Sequence, residues 1–392
     1  MFGWGLSRFI PAPVRPQTIA VLGGAYRRVN DALGARNLAE KRKAEPTPFR
    51  GERVAIVGFI DAPTGLGRGA RLMHEAMKRR GVLSATFDAG RILQPNRAVR
   101  RSEIARLVAF APSDIVAHVN PPLMRELIRY LPSELVAKAC LVGYWAWELN
   151  RLPQDWSKDA ANADAIWTPS PFVADAVRAS LPLFRGDIRV EPHAIELDPF
   201  PRADETARRA ARARLGAPPG AFVVGYSFTM AANFARKNPT AAIAAFQRAF
   251  PAGASRPALL LLRCPDLGAF PPGHAELRTA AASDARIRLL DRDMAPLQDF
   301  YACLDVYLSL HRSEGYGLQL AEALQAGADV VATAWGLSPE IAGQPGLHAI
   351  SSKPIAVVDP QGAYARVTGA VWAAPNIAQA AEVLAEIAAR RV

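Results

Sequence analysis

Short β-branched runs alternate with stretches of helical periodicity from Val54 onward. In the first half, the alternation predicts helices at about 68–80, 121–130 and 171–179, and it predicts strands at 53–59, 83–87, 114–119, 140–146, 164–168 and 187–192. Ser170 followed by Pro171 is a helix N-cap followed by a first-turn proline, which marks where the last of these helices begins. This alternation is typical of βαβ units and of a parallel sheet.

Residues 197–219 are rich in Pro, Ala and Arg and have no strand pattern, so we expect a connection with a short helix at 204–215. The alternation then begins again. It predicts strands at 221–228, 258–263, 286–290, 304–309 and 329–333, and helices at 239–249, 296–302, 316–327 and 377–390.

The pattern therefore predicts an α/β protein with two Rossmann-like doubly wound domains that face an interdomain cleft. Ligands of open α/β sheets bind at the carboxyl ends of the strands, so two such sheets place their sites on that cleft. The expected boundaries are a basic extension at 1–50, a first domain at 51–196, the connection at 197–219 and a second domain at 220–392.

Composition agrees with this organisation. A chain of 392 residues is long enough to bury two cores, and 50% hydrophobic with 21% charged residues is a soluble globular balance. No apolar stretch reaches the roughly 18 residues of a membrane-spanning helix, and the first residues lack the pattern of a signal peptide. Cys140, Cys264 and Cys303 lie far apart, which argues against a disulfide framework or a zinc site and favours a cytoplasmic location.

Charge is concentrated at the beginning of the chain. The net charge is +11, and residues 1–50 contain nine basic and three acidic side chains, a net +6. Such a segment is either a solvated arm or a surface for anionic lipid headgroups, which would make the protein peripheral on the inner face of the cell membrane. No aromatic-rich or helix-turn-helix pattern accompanies the charge, so nucleic acid is not an expected partner.

The most informative chemical pattern lies at 307–327. A predicted strand is followed by a loop with Glu314, and the helix after it carries Glu322 eight residues later. A nucleotide sugar has two polyols, the sugar and the ribose, on either side of a diphosphate, and a carboxylate can accept bonds from vicinal hydroxyls. The helix begins among Gly315, Tyr316, Gly317 and Leu318, whose N–H groups form an anion site. The alternative is an ordinary amphipathic helix with two solvated glutamates.

Residues 311–333, HRSEGYGLQLAEALQAGADVVAT, resemble the donor-binding signature of retaining GT-B glycosyltransferases of family four, also called group 1. The resemblance implies that Glu314 holds the transferred sugar, that Glu322 holds the ribose, and that residues 315–318 contact the sugar and phosphates. Ala328 and Asp329 stand where the family usually has a basic residue and proline.

Residues 225–239 resemble the same family's loop after the first strand of the second domain. There a basic pair, here Arg236 and Lys237, precedes a helix and neutralises the diphosphate. Asn238 and Pro239 predict the N-cap and first turn of that helix. The family's arginine is often five residues before the lysine, where this chain has Ala232, and a solvated basic turn is the alternative interpretation.

In the first domain, Gly65 and Gly67 lie in a loop that follows a predicted strand and opens a helix, like the family's glycine loop at the donor. A dinucleotide fingerprint with Asp88 as its acid, and hence an oxidoreductase, is the alternative. His118 ends a predicted strand, so we expect it to point toward the cleft, where the family has a histidine in a comparable place; the alternative is a satisfied core histidine.

Trp147 and Glu148 lie at the carboxyl end of the strand predicted at 140–146, directly after its last residue. They belong to a WxWE pattern that is followed by LPxxW, as in many enzymes of this group. The resemblance implies that they contact the acceptor. Asp291 and Asp293 match the DxD metal motif of the other glycosyltransferase class, but they follow a strand of the second domain, so we expect no metal site.

The resemblance thus implies a retaining, metal-independent glycosyltransferase that moves a hexose from a nucleotide-diphosphate sugar to a glycan or lipid-linked acceptor, as in polysaccharide biosynthesis. It requires no cofactor beyond its nucleotide-sugar substrate. The expected catalytic residues are Lys237, Arg236, Glu314 and His118. The alternatives are a non-catalytic sugar-binding or scaffold protein of the same fold and a sugar-nucleotide epimerase.

Overall fold

A computed structural model describes residues 45–253, 256–291 and 294–391. The basic extension predicted at 1–50 lies outside these ranges except for its last six residues, as does Asp293 of the DxD pattern. Within the described ranges, no helix is long and apolar enough to cross a membrane.

The first sheet has six parallel strands in the order β2-β1-β3-β4-β5-β6, and helices cover it. Its strands are β1 (Arg53–Gly58), β2 (Leu83–Asp88), β3 (Asp114–His118), β4 (Cys140–Tyr144), β5 (Ala165–Thr168) and β6 (Asp187–Val190). Its helices are α1 (Gly65–Arg79), α2 (Ala89–Leu93), α3 (Arg97–Phe110), α4 (Leu123–Tyr130), α5 (Ser133–Lys138), α6 (Ser157–Ala160) and α7 (Pro171–Ser180).

The second sheet is also six-stranded and parallel, in the order β12-β11-β10-β7-β8-β9. Its strands are β7 (Phe222–Ser227), β8 (Ala258–Arg263), β9 (Ile287–Leu290), β10 (Val306–Ser309), β11 (Asp329–Thr333) and β12 (Leu347–Ile350). Helix α8 (Glu205–Arg214) leads into it, and a hairpin of β13 (Ser352–Ala356) and β14 (Val371–Pro375) follows it. The remaining helices are α9 (Phe234–Lys237), α10 (Pro239–Ala249), α11 (Pro271–Ser283), α12 (Leu297–Cys303), α13 (Leu318–Ala326), α14 (Pro339–Ala342) and α15 (Ile377–Arg390).

Both strand orders change direction at the first strand of the domain, as doubly wound sheets do, so the predicted fold class is confirmed. The central strands are buried on both faces, and β7 and β8 are buried at every position. That continuous burial is why these strands are nearly unbroken apolar runs.

Several elements were not predicted because their sequence signals are weak. Helix α11 buries only Gly273 and Leu277 and therefore has little apolar periodicity. Strand β12, at the edge of its sheet, fully buries only Ile350 among its four residues.

The end of the chain connects the two domains. Residues 357–370, which we call the bridging segment, join the two strands of the β13–β14 hairpin, and Tyr364 packs into the core of the first domain. Within it, Thr368 accepts a hydrogen bond from Gln154 Nε2 at 3.0 Å, and Arg366 pairs with Asp155 at 2.9 Å. Helix α15 then packs on the core of the second domain. The bridging segment therefore holds the two domains face to face.

Candidate active site between the two domains

The loop between β10 and α13 carries the central part of the site. Gly317 has a φ of +103°, a left-handed conformation that favours glycine, directly before the helix begins. At Gly315 an added Cβ would lie 2.1 Å from the carbonyl oxygen of Trp147 in the first domain. The two glycines thus allow a tight turn and a close approach between the domains.

Two basic side chains of α9 bind the carboxylate of Glu314. Lys237 Nζ lies 2.6 Å from Glu314 Oε2, and Arg236 Nη1 lies 3.5 Å from the same oxygen. Arg236 Nη1 also donates to the carbonyl oxygen of Ser313 at 2.9 Å. The structure therefore brings together three residues that were predicted from two separate segments of the sequence.

The way in which these cations are placed differs from the prediction for Asn238. Its backbone is left-handed, its side chain does not cap α10, and its Nδ2 donates to Leu310 O at 2.8 Å. Instead Asn233 caps the short helix α9 by accepting from Arg236 N at 3.0 Å. Asn238 thus occupies the predicted N-cap position before Pro239, but its side chain bonds Leu310 and makes no capping bond, and the basic pair occupies a separate helical turn just before α10.

Electrostatics keep this cluster charged. Burial by itself raises the pKa of the Glu314 carboxyl, but Lys237 and Arg236 outweigh it, so that pKa lies well below its usual range. Burial lowers the pKa of Lys237, and Glu314 opposes that shift. A partly buried carboxylate that two cations keep ionised can accept hydroxyl hydrogens.

Glu148 extends the same cluster into the first domain. Its Oε1 accepts from Tyr364 of the bridging segment at 2.6 Å and lies 3.6 Å from Arg236 Nε. Its backbone oxygen accepts from the Ser313 hydroxyl. Glu148, which sequence reasoning assigned to the acceptor, therefore lies beside the predicted catalytic cations.

Trp147 has a different environment. It is 9% exposed, and its ring packs against Trp156 and Tyr364 at centroid distances of 4.9 and 5.8 Å. Its Nε1 donates to Arg151 O at 2.8 Å. In this conformation the indole belongs to the core of the first domain and has no open face on which a sugar could stack.

Glu322 faces the glycine loop of the first domain. Its Oε1 pairs with Arg68 of α1, and its Oε2 accepts from Tyr301 at 2.8 Å. Burial raises the pKa of Glu322, and Arg68 and Tyr301 oppose that shift. Gly65 lies against Leu318, because an added Cβ would be 3.6 Å from Leu318 Cδ1. The N-termini of α1 and α13 thus meet here, at Gly65 and Leu318, beside Glu322.

Gly67 and Asp88 both have local partners. A Cβ on Gly67 would lie 2.3 Å from Ala62 O, so this glycine closes its own loop instead of facing the second domain. Asp88 caps α2 by accepting from Arg91 N at 2.9 Å. This capping role leaves Asp88 poorly suited to hold a ribose in a dinucleotide site.

His118 lies beneath α1 and is 0% exposed. Its ring stacks on Tyr144 at 4.1 Å, and neither ring nitrogen has a hydrogen-bond partner among the described residues. His193, which sequence reasoning missed, lies 3.3 Å from the Tyr144 hydroxyl and accepts from Tyr316 through its carbonyl oxygen at 3.0 Å. His193 lies just after the carboxyl end of β6, as His118 lies at the carboxyl end of β3. The rule that ligands bind at the carboxyl ends of parallel strands would therefore have identified it as well.

The two histidines make stability depend on pH. Burial and the neighbouring His193 lower the pKa of His118 to about 3, and burial and Arg68 lower the pKa of His193 to about 4. Both rings are neutral in the folded protein at pH 5, whereas the unfolded chain protonates them below about pH 6.5. Each histidine therefore removes about 1.4 kcal/mol of folding free energy per pH unit as the pH falls from about 6.5 toward its folded pKa.

Replacing His118 with phenylalanine tests this linkage. Phenylalanine preserves a flat ring against Tyr144 and removes a buried group that titrates. Between pH 6.5 and 5, we expect the variant to lose about 2 kcal/mol less folding free energy than the wild type in urea unfolding. His274→Gln is the control, because His274 on α11 is partly exposed. Parallel pH dependences of the His118→Phe variant and the wild type would contradict the assignment.

No group of three or more His, Cys, Asp or Glu side chains that could hold a metal occurs in the described ranges. Asp291 is exposed there, and its DxD partner Asp293 lies outside them.

Comparisons with known proteins show which family model and which folds the chain resembles. Residues 228–383 match the family model described as Glycosyl transferases group 1. No curated protein matches the chain. Among solved structures, a glycosyltransferase from Rickettsia africae is 12% identical with a TM-score of 0.57, covering 77% of this chain and 85% of that one.

Two further structures are similar over most of their length. The catalytic domain of starch synthase IV from Arabidopsis thaliana, bound to ADP and acarbose, is 14% identical with a TM-score of 0.55, covering 86% of this chain and 95% of that one. Anabaena HepE, in complex with UDP and glucose, is 16% identical with a TM-score of 0.52, covering 87% of this chain and 95% of that one. At these identities the similarity establishes the fold.

Proposed function

We propose that this GT-B glycosyltransferase, whose residues 228–383 match the glycosyl transferases group 1 family, transfers a hexose from a nucleotide-diphosphate sugar. The proposed transfer proceeds with retention and without a metal. The observation that carries the proposal is the 2.6 Å contact between Lys237 and Glu314, with Arg236 beside them and Glu322 on the adjoining helix. The proposed acceptor is a glycan or a lipid-linked sugar.

In the proposed donor complex, Glu322 binds the ribose hydroxyls and Glu314 binds hydroxyls of the transferred sugar. The N–H groups of residues 315–318, at the start of α13 and between the two carboxylates in the sequence, would bind the diphosphate. The order of these groups along the chain matches the order of ribose, diphosphate and sugar along the donor.

The proposed chemistry is front-face substitution. The bond between the anomeric carbon and the diphosphate oxygen breaks, the acceptor oxygen attacks from the same face, and a phosphate oxygen takes the acceptor's proton. Lys237 and Arg236 stabilise the negative charge that grows on the leaving group. In support, Glu314 and Glu148 both lie against cations, which makes either of them a poor covalent nucleophile.

The acceptor side of the proposal rests on the first domain. Glu148 is partly exposed and lies beside Arg236, which places it where an incoming hydroxyl would meet the donor. His118 would contact the donor sugar after a local movement of α1. The basic residues of 1–50 would hold the enzyme on the anionic inner face of the cell membrane, close to a lipid-linked acceptor.

Calorimetric titration with UDP, GDP and ADP, without added metal, tests the donor site. We expect one of the three to bind with micromolar affinity. Glu322→Ala should weaken that affinity about 10- to 100-fold, because hydrogen bonds to a charged group are worth about 1.5–3 kcal/mol each.

Gln319→Ala is the matched control, since it shortens a partly buried side chain on the same helix without removing a carboxylate. Unchanged affinity in the Glu322→Ala variant would refute the ribose assignment. Failure of all three nucleotides to bind the wild type would favour a non-catalytic scaffold protein.

A further inference from the structure

Arg68 connects the two domains at the predicted ribose carboxylate. It lies in the first turn of α1, and its Nη1 pairs with Glu322 Oε1 although the two residues are 254 positions apart. Its Nη2 donates to Asp198 O at 2.9 Å. Its buried Nε has no hydrogen-bond partner among the described residues. The guanidinium is thus seated on Glu322, and its Nε–H donor is still unused.

Both oxygens of Glu322 have partners within the protein. Tyr301, on the other oxygen, is 1% exposed and belongs to the core of the second domain. Arg68 reaches Glu322 from the opposite domain and keeps a side-chain exposure of 16%. If Glu322 binds ribose, as proposed above, Arg68 is the partner that the ribose displaces.

The charges of the site indicate which group Arg68 would bind after ribose displaces it from Glu322. Lys237 and Arg236 lie against Glu314 and Glu148, and Arg68 lies against Glu322 and, at 3.9 Å, against the exposed carboxylate of Asp198, so each cation of the site has a carboxylate partner. A donor diphosphate adds two negative charges to a site in which every one of these cations is already paired. Ribose is neutral, so its binding to Glu322 frees one cation.

The freed cation is close to the proposed position of the diphosphate. The N-termini of α1 and α13 meet at Gly65 and Leu318, and Arg68 is one turn into α1. An unpaired cation in a partly buried site is costly, so the guanidinium gains by pairing with the diphosphate. A planar guanidinium with five donors also suits phosphate oxygens.

We propose that Arg68 is a donor-binding residue of the first domain, which pairs with Glu322 and transfers to the donor diphosphate when ribose takes its place. This inference rests on the proposed function. It also makes donor binding the event that exchanges the contact between the domains.

The test compares two ligands that differ only in the phosphates. The full chain and its Arg68→Ala and Arg68→Lys variants are titrated with the nucleoside diphosphate that the wild type binds and with the corresponding nucleoside. Arg68→Ala should weaken diphosphate binding at least tenfold. It should leave nucleoside binding unchanged or tighter, because Glu322 no longer has a competing partner. Arg68→Lys should retain part of the diphosphate affinity.

Lys78→Ala is the matched control, because it removes a positive charge from an exposed position near the other end of α1. Equal diphosphate affinity in Arg68→Ala and wild type would overturn the inference and leave the proposed function intact. Equal losses for nucleoside and diphosphate in both Arg68 variants would overturn it as well, since they would indicate a structural role. If the wild type binds no nucleotide, the donor site itself is refuted, and the inference falls with it.

Discussion

Replacing Lys237 with alanine is expected to lower the turnover number for sugar transfer about 10²- to 10³-fold. In the proposed reaction, Lys237 stabilises charge that grows on the diphosphate as the glycosidic bond breaks, and losing one such preorganised donor costs about 3–4 kcal/mol of transition-state stabilisation. Lys237 is 8% exposed, and its Nζ lies 2.6 Å from Glu314 Oε2. Because this position is buried, a cation from the protein surface would not readily take over its role. The measurement is the rate of nucleoside diphosphate release at saturating donor.

Two further measurements distinguish this effect from misfolding. Arg248→Ala removes an exposed cation near the end of α10, and it should leave turnover within twofold of the wild type. Binding of the nucleoside diphosphate to Lys237→Ala should weaken far less than turnover, because the strongest contact forms only as charge develops. A turnover number within threefold of the wild type would remove Lys237 from the catalytic group.

Asp305→Ala is expected to destabilise the protein by about 3–5 kcal/mol, the usual cost of removing one partner from a buried ionic group. Asp305 Oδ1 pairs with Arg208 at 2.7 Å, and its Oδ2 pairs with Arg212 at 2.6 Å and accepts from Val223 N at 2.8 Å. Arg391, beyond α15, approaches Oδ1 at 3.5 Å. One carboxylate thus ties α8 and the end of the chain to the second sheet. Urea unfolding of the variant measures the loss.

The matched control removes a surface ion pair that is also made by an arginine of α8. Asp299 pairs with Arg214 of α8, whose side chain is 58% exposed. Because solvent screens such a pair, Asp299→Ala should cost less than about 1 kcal/mol. Similar losses in the two variants would show that burial of the Asp305 group contributes no special stability.

Much of the candidate site was predictable because its determinants are local in the chain. Glu314, the two glycines and Glu322 lie on one strand, loop and helix, so their order follows from sequence spacing. Arg236 and Lys237 lie beside Glu314, and the residue that caps their own helical turn, Asn233, was not predicted.

Other residues of the site were missed because their partners are distant in the sequence. Arg68 meets Glu322, and Tyr364 meets Glu148, across 254 and 216 positions respectively. Neither pair has a local pattern, since an arginine after a glycine loop and a tyrosine in an irregular segment are compatible with ordinary exposed positions. Only the contact between the two domains brings them to the site.

The sequence by itself determined the α/β class, the two repeated units and the order of the candidate donor-binding groups along the loop and helix. These follow from hydrophobic periodicity and backbone preferences, which act over a few residues. The tertiary structure decided which groups occupy the carboxylates, that Trp147 is a core residue, and that the bridging segment joins the domains. Those outcomes depend on burial and charge pairing between distant segments, because a side chain's environment is set by what packs against it.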